Sequence, residues 1–433
     1  MSDLSTSLEA LERPFGKDGT QLSVSSYFDE GLFRSEQQLI FDHSPRYLGH
    51  ELAVPQPGDH LALAQEGEGR ALVHTADGIE LISNVCRHRQ AIMLKGRGQV
   101  GGSRQHIVCP LHRWTYDLHG ALVGAPHFEQ DPCLNLRNYP LQNWQGLLFE
   151  RHGRTVVTDL AQLGCAAKLD FSGYVLQRSH LHECNYNWKT FIEVYLEDYH
   201  VGPFHPGLGR FVSCEDLSWE FGKHHSVQTV GVNKALAQAD RAAGSPVYQR
   251  WHAAVQKYRD GAVPEHGAIW LTYYPTVMVE WYPHVLVVST LFPQGPQKTL
   301  NLVEFFYPEE IAAFEPEFVA AQQAAYLETC DEDDEIALRM DAGRKALLDR
   351  GDDEVGPYQS PMEDGMQHFH EWYRREMGPP AAALPQGGPS GTGDRPCGLA
   401  PASEGRPACW PVGNTSGPAD PVPPRRLGLG TAV

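Results

Sequence analysis

The amino-acid sequence predicts an α+β protein, in which a small all-β domain precedes a larger domain of antiparallel strands and helices. Two observations support this fold class. From about residue 47 to residue 154, short β-type runs alternate with Pro, Gly and Asp-Gly turn signals, which is typical of an all-β domain. After residue 160, a helical stretch is followed by four strand-like runs and then by helical patterns at 308–348 and 361–377. Helices that follow a series of strands indicate an α+β layout rather than alternating βα units.

The composition is that of a folded globular protein. The chain has 433 residues, enough for two or three domains. Hydrophobic residues make up 41% and charged residues 21%, which excludes collagen-like, coiled-coil and wholly disordered proteins. The 54 Asp and Glu outnumber the 35 Lys and Arg, so the formal net charge is −19. A field of this sign repels phosphate backbones and acidic membrane surfaces, which argues against nucleic acid as a partner.

The sequence predicts a cytoplasmic protein with no membrane span. It contains no apolar run of 18 residues, and its first residues carry acidic side chains without the apolar core of a signal peptide. The nine Cys are an odd number scattered over a large chain. In a reducing compartment this distribution indicates that a few Cys serve metal or catalytic chemistry and that the others pack.

Four segments are predicted along the chain. Residues 1–44 form an N-terminal arm that packs on the second domain, residues 45–155 form the β domain, and residues 156–378 form the α+β domain. Residues 379–433 contain 12 Pro and 10 Gly and are predicted to be a disordered tail, because such a composition cannot build a core.

The β domain carries the pattern C-x-H followed by C-x-x-H, formed by Cys86, His88, Cys109 and His112. Two hairpin loops that each offer one thiolate and one imidazole can converge on one metal centre. The ligand types alone fit a tetrahedral zinc site. However, zinc sites usually pair Cys with Cys at close spacing, whereas each loop here mixes Cys with His. This mixture favours a 2Fe-2S cluster with two Cys on one iron and two His on the other.

The stretch Cys-Pro-Leu-His-Arg-Trp-Thr-Tyr-Asp-Leu-His-Gly-Ala-Leu-Val-Gly-Ala-Pro at residues 109–126 resembles the Rieske-type iron-sulfur domains. The sequence departs from the family at Arg113, where Gly is usual. The resemblance implies a Rieske 2Fe-2S cluster held by the four residues above. It also implies that Tyr116 donates a hydrogen bond to a cluster sulfur.

A second constellation follows in the α+β domain. Residues 187–200 are predicted to form a helix because apolar residues recur at helical spacing, with Glu193, Glu197 and His200 on a separate polar face. Gly202-Pro203 is expected to end this helix, and His205 follows on the turn. The H-x4-H spacing places two imidazoles within reach of one ion, although an isolated pair of this kind is more often structural.

Two His and one carboxylate form the facial triad of non-haem Fe(II) oxygenases. Candidates for the carboxylate lie in the acidic run at 330–343, which would otherwise be a solvated helix start. Large subunits of the Rieske non-haem iron oxygenases, which the sequence resembles from about residue 22 to residue 377, carry Glu-Asp here with a Gly ten residues after the Asp. This spacing selects Asp333, with Asp331 and Asp334 as alternatives.

The resemblance also implies a helix-grip catalytic domain, a mononuclear Fe(II) and a head-to-tail homotrimer. A flavin or iron-sulfur reductase would deliver electrons from NAD(P)H to the cluster. Glu197 would relay them to iron held by His200, His205 and Asp333. A Glu at position 197 favours the branch that contains choline and carnitine monooxygenases over aromatic-ring dioxygenases, many of which have Asp there.

The predicted function is therefore that of a Rieske oxygenase, which uses O2 to hydroxylate a small organic substrate. Aromatic-ring hydroxylation and N- or O-demethylation of a methylated ammonium or aromatic compound both fit. A Rieske electron carrier without oxygenase activity and a zinc-stabilised binding module are the alternatives. Aromatic side chains on the predicted strands could form the substrate pocket or simply pack the core. They are Trp270, Tyr273, Tyr274, Trp281, Tyr282, Phe305 and Phe306.

Overall fold

A computed structural model describes residues 19–101, 105–233, 244–259 and 261–378 and confirms the α+β class. The tail predicted for 379–433 and the first 18 residues of the predicted arm lie outside the described residues. No helix in the described part of the chain is long and apolar enough to cross a membrane.

The β domain contains three small antiparallel sheets. One has five strands in the order β5-β2-β3-β4-β9, a second has the order β6-β7-β8, and a third has the order β1-β11-β10. The strands are β1 (Arg46–His50), β2 (Asp59–Ala62), β3 (Arg70–Thr75), β4 (Gly78–Ser83), β5 (Arg97–Gln99), β6 (Ile107–Val108), β7 (Thr115–Tyr116), β8 (Leu122–Gly124), β9 (Asn138–Tyr139), β10 (Leu141–Trp144) and β11 (Leu147–Glu150).

The larger domain is built on one antiparallel sheet of seven strands in the order β12-β18-β17-β16-β15-β14-β13. The strands are β12 (Tyr174–Cys184), β13 (Val212–Phe221), β14 (His225–Val232), β15 (Ala268–Tyr273), β16 (Val277–Tyr282), β17 (Val285–Gly295) and β18 (Lys298–Pro308). The helices are α1 (Glu30–Leu39), α2 (Val156–Asp159), α3 (Trp188–Tyr195), α4 (Val201–Phe204), α5 (Leu208–Phe211), α6 (Pro246–Tyr258), α7 (Glu309–Phe314), α8 (Pro316–Arg350) and α9 (Asp364–Met377).

Successive side chains along each strand point to opposite faces, and the central strands of the seven-stranded sheet are covered on both faces. One face packs against α6 and α8, with Trp270 and Phe305 in its core. The other face packs against β1 and β11, with Leu271 and Phe306 in its core. The four strand-like runs predicted after residue 260 correspond to β15–β18. The outer strands β12 and β13 escaped prediction because their exposed polar residues interrupt the apolar pattern.

The helix predicted over residues 187–200 is shorter in the structure. α3 begins after Asn187, whose side chain caps its first turn, and it ends at Tyr195. The backbone N–H of Asp198 donates instead to the Met362 carbonyl at 3.0 Å, so a tertiary hydrogen bond replaces the helical one. Gly202-Pro203 lies inside the short helix α4 rather than ending the preceding helix.

The end of α3 separates two carboxylates that the sequence placed on one polar face. Glu193 is 1% exposed and bonds to Arg344 at 2.5 Å, to Tyr27 at 2.5 Å and to His370 at 2.9 Å. Glu197 lies beyond the helix and does not share this network. The predicted common face was therefore wrong, and Glu193 ties α3 to α8, to α9 and to the segment before α1.

The acidic run at 330–343 was also placed wrongly, since it lies in the middle of the 35-residue helix α8 rather than at a helix start. Its carboxylates therefore gain no stabilisation from a helix N-terminus. Instead, the central turns of α8 lie beside α3 and below the sheet, where some of these carboxylates are partly buried.

Candidate metal centres and the cavity beside them

The two loops of the β domain bring their Cys and His side chains together. Cys86 and Cys109 are buried in the same apolar cluster, and the ring centroids of His88 and His112 lie 4.6 Å apart. Burial raises the pKa of Cys109, the backbone N–H groups of Leu111 and His112 lower it, and the neighbouring Cys86 raises it. Hydrogen bonds from N–H groups of this kind stabilise a metal-bound thiolate.

The spread of these donors fits a cluster better than a single ion. A tetrahedral zinc with bonds of about 2.0–2.3 Å would hold all four donor atoms within about 4 Å of one another. Among the described residues, two groups of three possible ligand atoms lie within 4.8 Å of one another, and both groups are in the larger domain. No three ligand atoms of the β-domain loops lie this close together in the described structure. The buried His88 Nδ1 has no hydrogen-bond partner, which leaves it free to act as a ligand. The loops therefore fit a 2Fe-2S cluster, and the zinc interpretation does not hold.

Tyr116 lies where a hydroxyl can reach one cluster thiolate. Its Oη is 3.7 Å from Cys86 Sγ and accepts a hydrogen bond from Arg87 N at 3.1 Å. Because that acceptor position is filled, the hydroxyl proton is available for the sulfur. Burial, followed by hydrogen bonding and charge from Cys86, raises the pKa of Tyr116, although the Arg87 N–H lowers it. The hydroxyl therefore stays protonated as a donor.

We expect Tyr116→Phe to lower the reduction potential of the cluster, because a hydrogen bond to a thiolate sulfur stabilises the more negative, reduced form. If the bond is stronger in the reduced form by about 1.4 kcal/mol, the shift is roughly 60 mV for one electron. Potentiometric titration of the visible spectrum measures it. An unchanged potential with an intact cluster would show that the hydroxyl does not act on the sulfur.

Arg113, where the Rieske-type domains usually have Gly, adopts a backbone conformation that favours Gly. Arg113 adopts φ +63°, in the left-handed region that Gly occupies without strain. Its backbone N–H donates to the Cys109 carbonyl at 3.1 Å, and this bond closes the ligand loop. The chain thus keeps the turn that usually carries Gly, with a non-Gly residue in a strained conformation.

The second centre consists of three donor atoms around one point. His200 Nε2 and His205 Nε2 are 2.9 Å apart, His205 Nε2 and Asp333 Oδ1 are 2.9 Å apart, and His200 Nε2 and Asp333 Oδ1 are 3.4 Å apart. Neighbouring ligands of an octahedral ion with bonds of about 2.1 Å are separated by roughly 3 Å. The triangle therefore fits one face of a six-coordinate iron and leaves the opposite face open.

Carboxylates orient both imidazoles. Glu197 Oε1 lies 2.5 Å from His200 Nδ1, and Glu332 Oε2 lies 2.6 Å from His205 Nδ1. The Glu332 carboxylate hydrogen-bonds to His205 Nδ1, which fixes the proton there and leaves Nε2 free to bind a metal, and Glu197 makes an ion-pair contact with His200 at the equivalent nitrogen. Glu332 escaped the sequence analysis as a functional residue, although it is the Glu of the Glu-Asp pair that selected Asp333.

The charges of this site favour a cation at its centre. Burial lowers the pKa of His200, but hydrogen bonds and charge from Asp333 and Glu197 raise it to a net value of about 10. Burial raises the pKa of Asp333, yet hydrogen bonds from the two His hold it below its ordinary value. Both shifts show that negative charge surrounds the donor triangle, which favours a bound cation.

The three candidate carboxylates of the acidic run lie in different places. Asp333 faces both His, whereas Asp334 bonds to His182 at 2.6 Å and to Tyr186 at 2.6 Å. Asp331 is exposed. Within the described part of the chain, Asp334, His182 and Cys184 form the other set of three close donors.

A cavity of about 80 Å³ lies against the second centre. Its lining includes all three members of the triad, Glu197, and two further buried carboxylates, Asp198 and Glu280. Of the seven aromatic residues considered from the sequence, Trp270 and Tyr282 line this cavity, whereas the other five are not among its lining residues. The side chains of Trp270, Glu280 and Tyr282 share the sheet face that packs on α6 and α8.

Glu280 was missed by the sequence analysis, although a signal existed. It is the charged residue of the otherwise apolar run Val-Met-Val-Glu-Trp-Tyr at 277–282, which forms β16. A carboxylate in a buried central strand costs free energy unless it is paired or hydrogen-bonded, so its presence points to a specific role. Asp198, which follows Glu197 directly, also has no role in the sequence analysis.

Residues 46–140 match the Rieske [2Fe-2S] domain, and residues 171–379 match the ring-hydroxylating alpha subunit, catalytic domain. The putrescine 2-hydroxylase of Ralstonia nicotianae is 64% identical over 377 residues, which are 87% of this chain and 100% of that protein. The putrescine 2-hydroxylase of Bordetella bronchiseptica is 60% identical over 83% of this chain and 85% of its own length. More distant relatives include carnitine and choline monooxygenases.

Among solved structures, the quaternary ammonium Rieske monooxygenase CntA in complex with an inhibitor has the same fold. The match has a TM-score of 0.65 at 19% identity, and it covers 85% of this chain and 98% of that one.

Proposed function

Because the chain belongs to the Rieske non-haem iron oxygenases as an α subunit, we propose that it hydroxylates putrescine at C2. The enzyme is an O2-using oxidoreductase with a Rieske cluster and a mononuclear iron. The alternative of an electron carrier without oxygenase activity is therefore wrong. The observation that carries the substrate assignment is the 64% identity along the whole length of a relative named putrescine 2-hydroxylase.

This substrate differs from those expected from the sequence. Aromatic rings and methylated ammonium compounds both fitted the motifs, but the relatives at 60% identity or more are named for an aliphatic diamine. The cavity favours such a substrate, since its lining combines aromatic side chains with buried carboxylates. Putrescine carries two ammonium groups at neutral pH, and carboxylates and aromatic faces both attract cations.

The reaction consumes one O2, two electrons and two protons, and it yields 1,4-diaminobutan-2-ol and water. The bound iron supplies O2 activation, with electrons that arrive through the Rieske cluster. In this proposal His200, His205 and Asp333 hold the iron, and Glu197 and Glu332 hold the imidazole protons at Nδ1. Cys86, His88, Cys109 and His112 hold the cluster.

The proposed partners are a reductase and other copies of the same chain. A flavin or iron-sulfur reductase draws electrons from NAD(P)H in the cytoplasm, and three chains assemble head to tail. The surface around the cluster ligands supports a protein contact there, because Leu111 is 55% exposed and Phe128 is 50% exposed. The Phe128 ring lies 5.9 Å from the ring of the cluster-loop residue His88. Exposed apolar side chains at such a site favour docking of another protein surface.

Turnover under ¹⁸O2 tests the proposal. The purified holoenzyme, supplied with NADH and a surrogate reductase, is expected to convert putrescine to a hydroxydiamine that carries one ¹⁸O atom, as measured by mass spectrometry. The position of the hydroxyl is read from the fragmentation pattern. Carnitine and an aromatic acid serve as competing substrates, and turnover of either one without turnover of putrescine would contradict the assignment.

A further inference from the structure

We propose that Glu280 binds an ammonium group of the substrate, inside the cavity that also contains the candidate iron ligands. Glu280 lies on β16, the fourth of the seven strands, and it is 1% exposed. The inference rests on the proposed function and deepens it, because it assigns recognition of the primary amine to one residue of the same cavity.

Two other buried carboxylates in the larger domain have a cation beside them. Glu36 pairs with Lys189 at 2.6 Å, and Glu193 pairs with Arg344 at 2.5 Å. Such pairing is the rule, because a buried charge without a counter-ion loses its hydration and gains nothing in return.

Glu280 lacks a protein cation. Its two oxygens accept hydrogen bonds from the neutral hydroxyls of Tyr282 and Tyr326, each at 2.8 Å. Within residues 19–378, as far as the structure describes them, no Lys, Arg or His forms an ion pair with this carboxylate within 4.0 Å. The carboxylate is therefore positioned and hydrogen-bonded, yet its charge is uncompensated in the protein alone.

Burial raises the pKa of Glu280 to about 7, although the Tyr282 and Tyr326 hydroxyls lower it, and the charge of Asp333 adds to the rise. The pKa of the carboxyl group thus lies close to neutral pH. A nearby cation favours the charged form, so an arriving ammonium group would bring the carboxylate fully into that form.

The walls around Glu280 suit an ammonium ion. Trp270 lies directly opposite Glu280 on β15, and Trp251 lines the same cavity. Aromatic faces attract cations through their π systems. The partly buried Tyr195 also lines the cavity, and its hydroxyl lies beside Glu280. Burial raises the pKa of Tyr195, and the charge and hydrogen bonding of Glu280 add to this rise. The hydroxyl oxygen can accept a hydrogen bond from a substrate N–H.

Helix α8 connects this carboxylate to the candidate iron site. Tyr326, which bonds to Glu280, lies seven residues before Asp333, and Cys330 lies between them. Residues at i, i+4 and i+7 share one helix face, and all three line the cavity. An amine held at Glu280 therefore shares one enclosed space with the iron ligands.

This arrangement predicts a preference for primary amines. A primary ammonium group offers three N–H donors, which can bond to the carboxylate and the Tyr195 hydroxyl. A trimethylated ammonium group has no such donor and would leave these buried acceptors unsatisfied. A site built to hydrogen-bond a group discriminates strongly against analogues that lack it.

Replacement of Glu280 by Gln tests the inference, and Glu304→Gln is a matched control. Glu304 lies on β18, is also 1% exposed, accepts a hydrogen bond from the neutral Tyr47 hydroxyl at 2.5 Å and also has its pKa raised by burial to about 7. It is not among the cavity residues. Calorimetric titration of each holoenzyme with putrescine measures binding, and kcat/KM measures turnover. The visible spectrum and melting temperature verify folding.

For E280Q we expect the affinity for putrescine and the value of kcat/KM each to fall by about 100-fold. For E304Q we expect kcat/KM to stay within about threefold of the wild-type value. Wild-type enzyme should also bind putrescine far better than its N,N,N,N′,N′,N′-hexamethylated analogue, a comparison that needs no variant. If wild-type enzyme hydroxylates putrescine and E280Q binds it equally well, the inference fails and the proposed function stands. If wild-type enzyme neither binds nor hydroxylates primary amines, the proposed function fails and takes the inference with it.

Discussion

Replacement of Asp333 by Ala is expected to remove the mononuclear iron and to abolish hydroxylation, with a loss of about 1,000-fold or more, while the Rieske cluster remains. Asp333 supplies the third corner of the donor triangle, and two neutral imidazoles alone hold a divalent ion poorly. Iron and acid-labile sulfide per chain measure the effect in anaerobically purified protein. About three irons and two sulfides in the wild type should fall to about two irons and two sulfides.

Asp334→Asn is the control for this experiment. Asp334 is the neighbouring carboxylate on the same helix, but it bonds to His182 and Tyr186 instead of the two candidate ligands. We expect this variant to keep about three irons. Loss of iron from the Asp334 variant, with retention in the Asp333 variant, would reverse the assignment.

Replacement of Glu197 by Gln is expected to slow hydroxylation by about 100-fold while both metal centres remain loaded. The Glu197 carboxylate accepts hydrogen bonds from the backbone N–H of His200 at 3.0 Å and holds its Nδ1 at 2.5 Å. Carboxylates that contact a metal-binding imidazole typically contribute 10- to 100-fold to activity or metal affinity. We expect a pre-reduced cluster to be reoxidised slowly in the presence of O2 and putrescine. Stopped-flow absorbance measures the rate of this reoxidation.

Glu332→Gln separates a relay role from simple orientation of an imidazole. Glu332 holds His205 Nδ1 at 2.6 Å, much as Glu197 holds His200. If Glu197 acts as the electron relay, cluster reoxidation should slow in E197Q and stay close to the wild-type rate in E332Q. Equal slowing in both variants would mean that the two carboxylates only orient their imidazoles.

The candidate metal ligands nearest to one another in the chain were the easiest to find in the sequence. Cys86 and His88 lie two residues apart, and His200 and His205 lie five residues apart, so local spacing already indicates a shared centre. The α+β class and the strands β15–β18 followed from apolar runs, because these strands are buried along nearly their whole length.

Predictions failed where a distant contact decides the local structure. The helix over residues 187–200 ends early because the Asp198 N–H bonds to the Met362 carbonyl. Glu193 belongs to a buried ion-pair network with Arg344 rather than to a face shared with Glu197. Amphipathic spacing contains no information about either partner, since both come from segments more than 140 residues away.

By itself, the sequence determined the family and the two kinds of iron centre, and it indicated the pairs of candidate ligands that are close in the chain. The tertiary structure decided which carboxylate of the acidic run faces the two His, and it placed Glu332 on His205 and Glu280 in the cavity. The physical reason is that burial and charge pairing depend on what surrounds a side chain. Asp333 and His200 are 133 residues apart, and only packing of α8 beneath the sheet brings them within 3.4 Å.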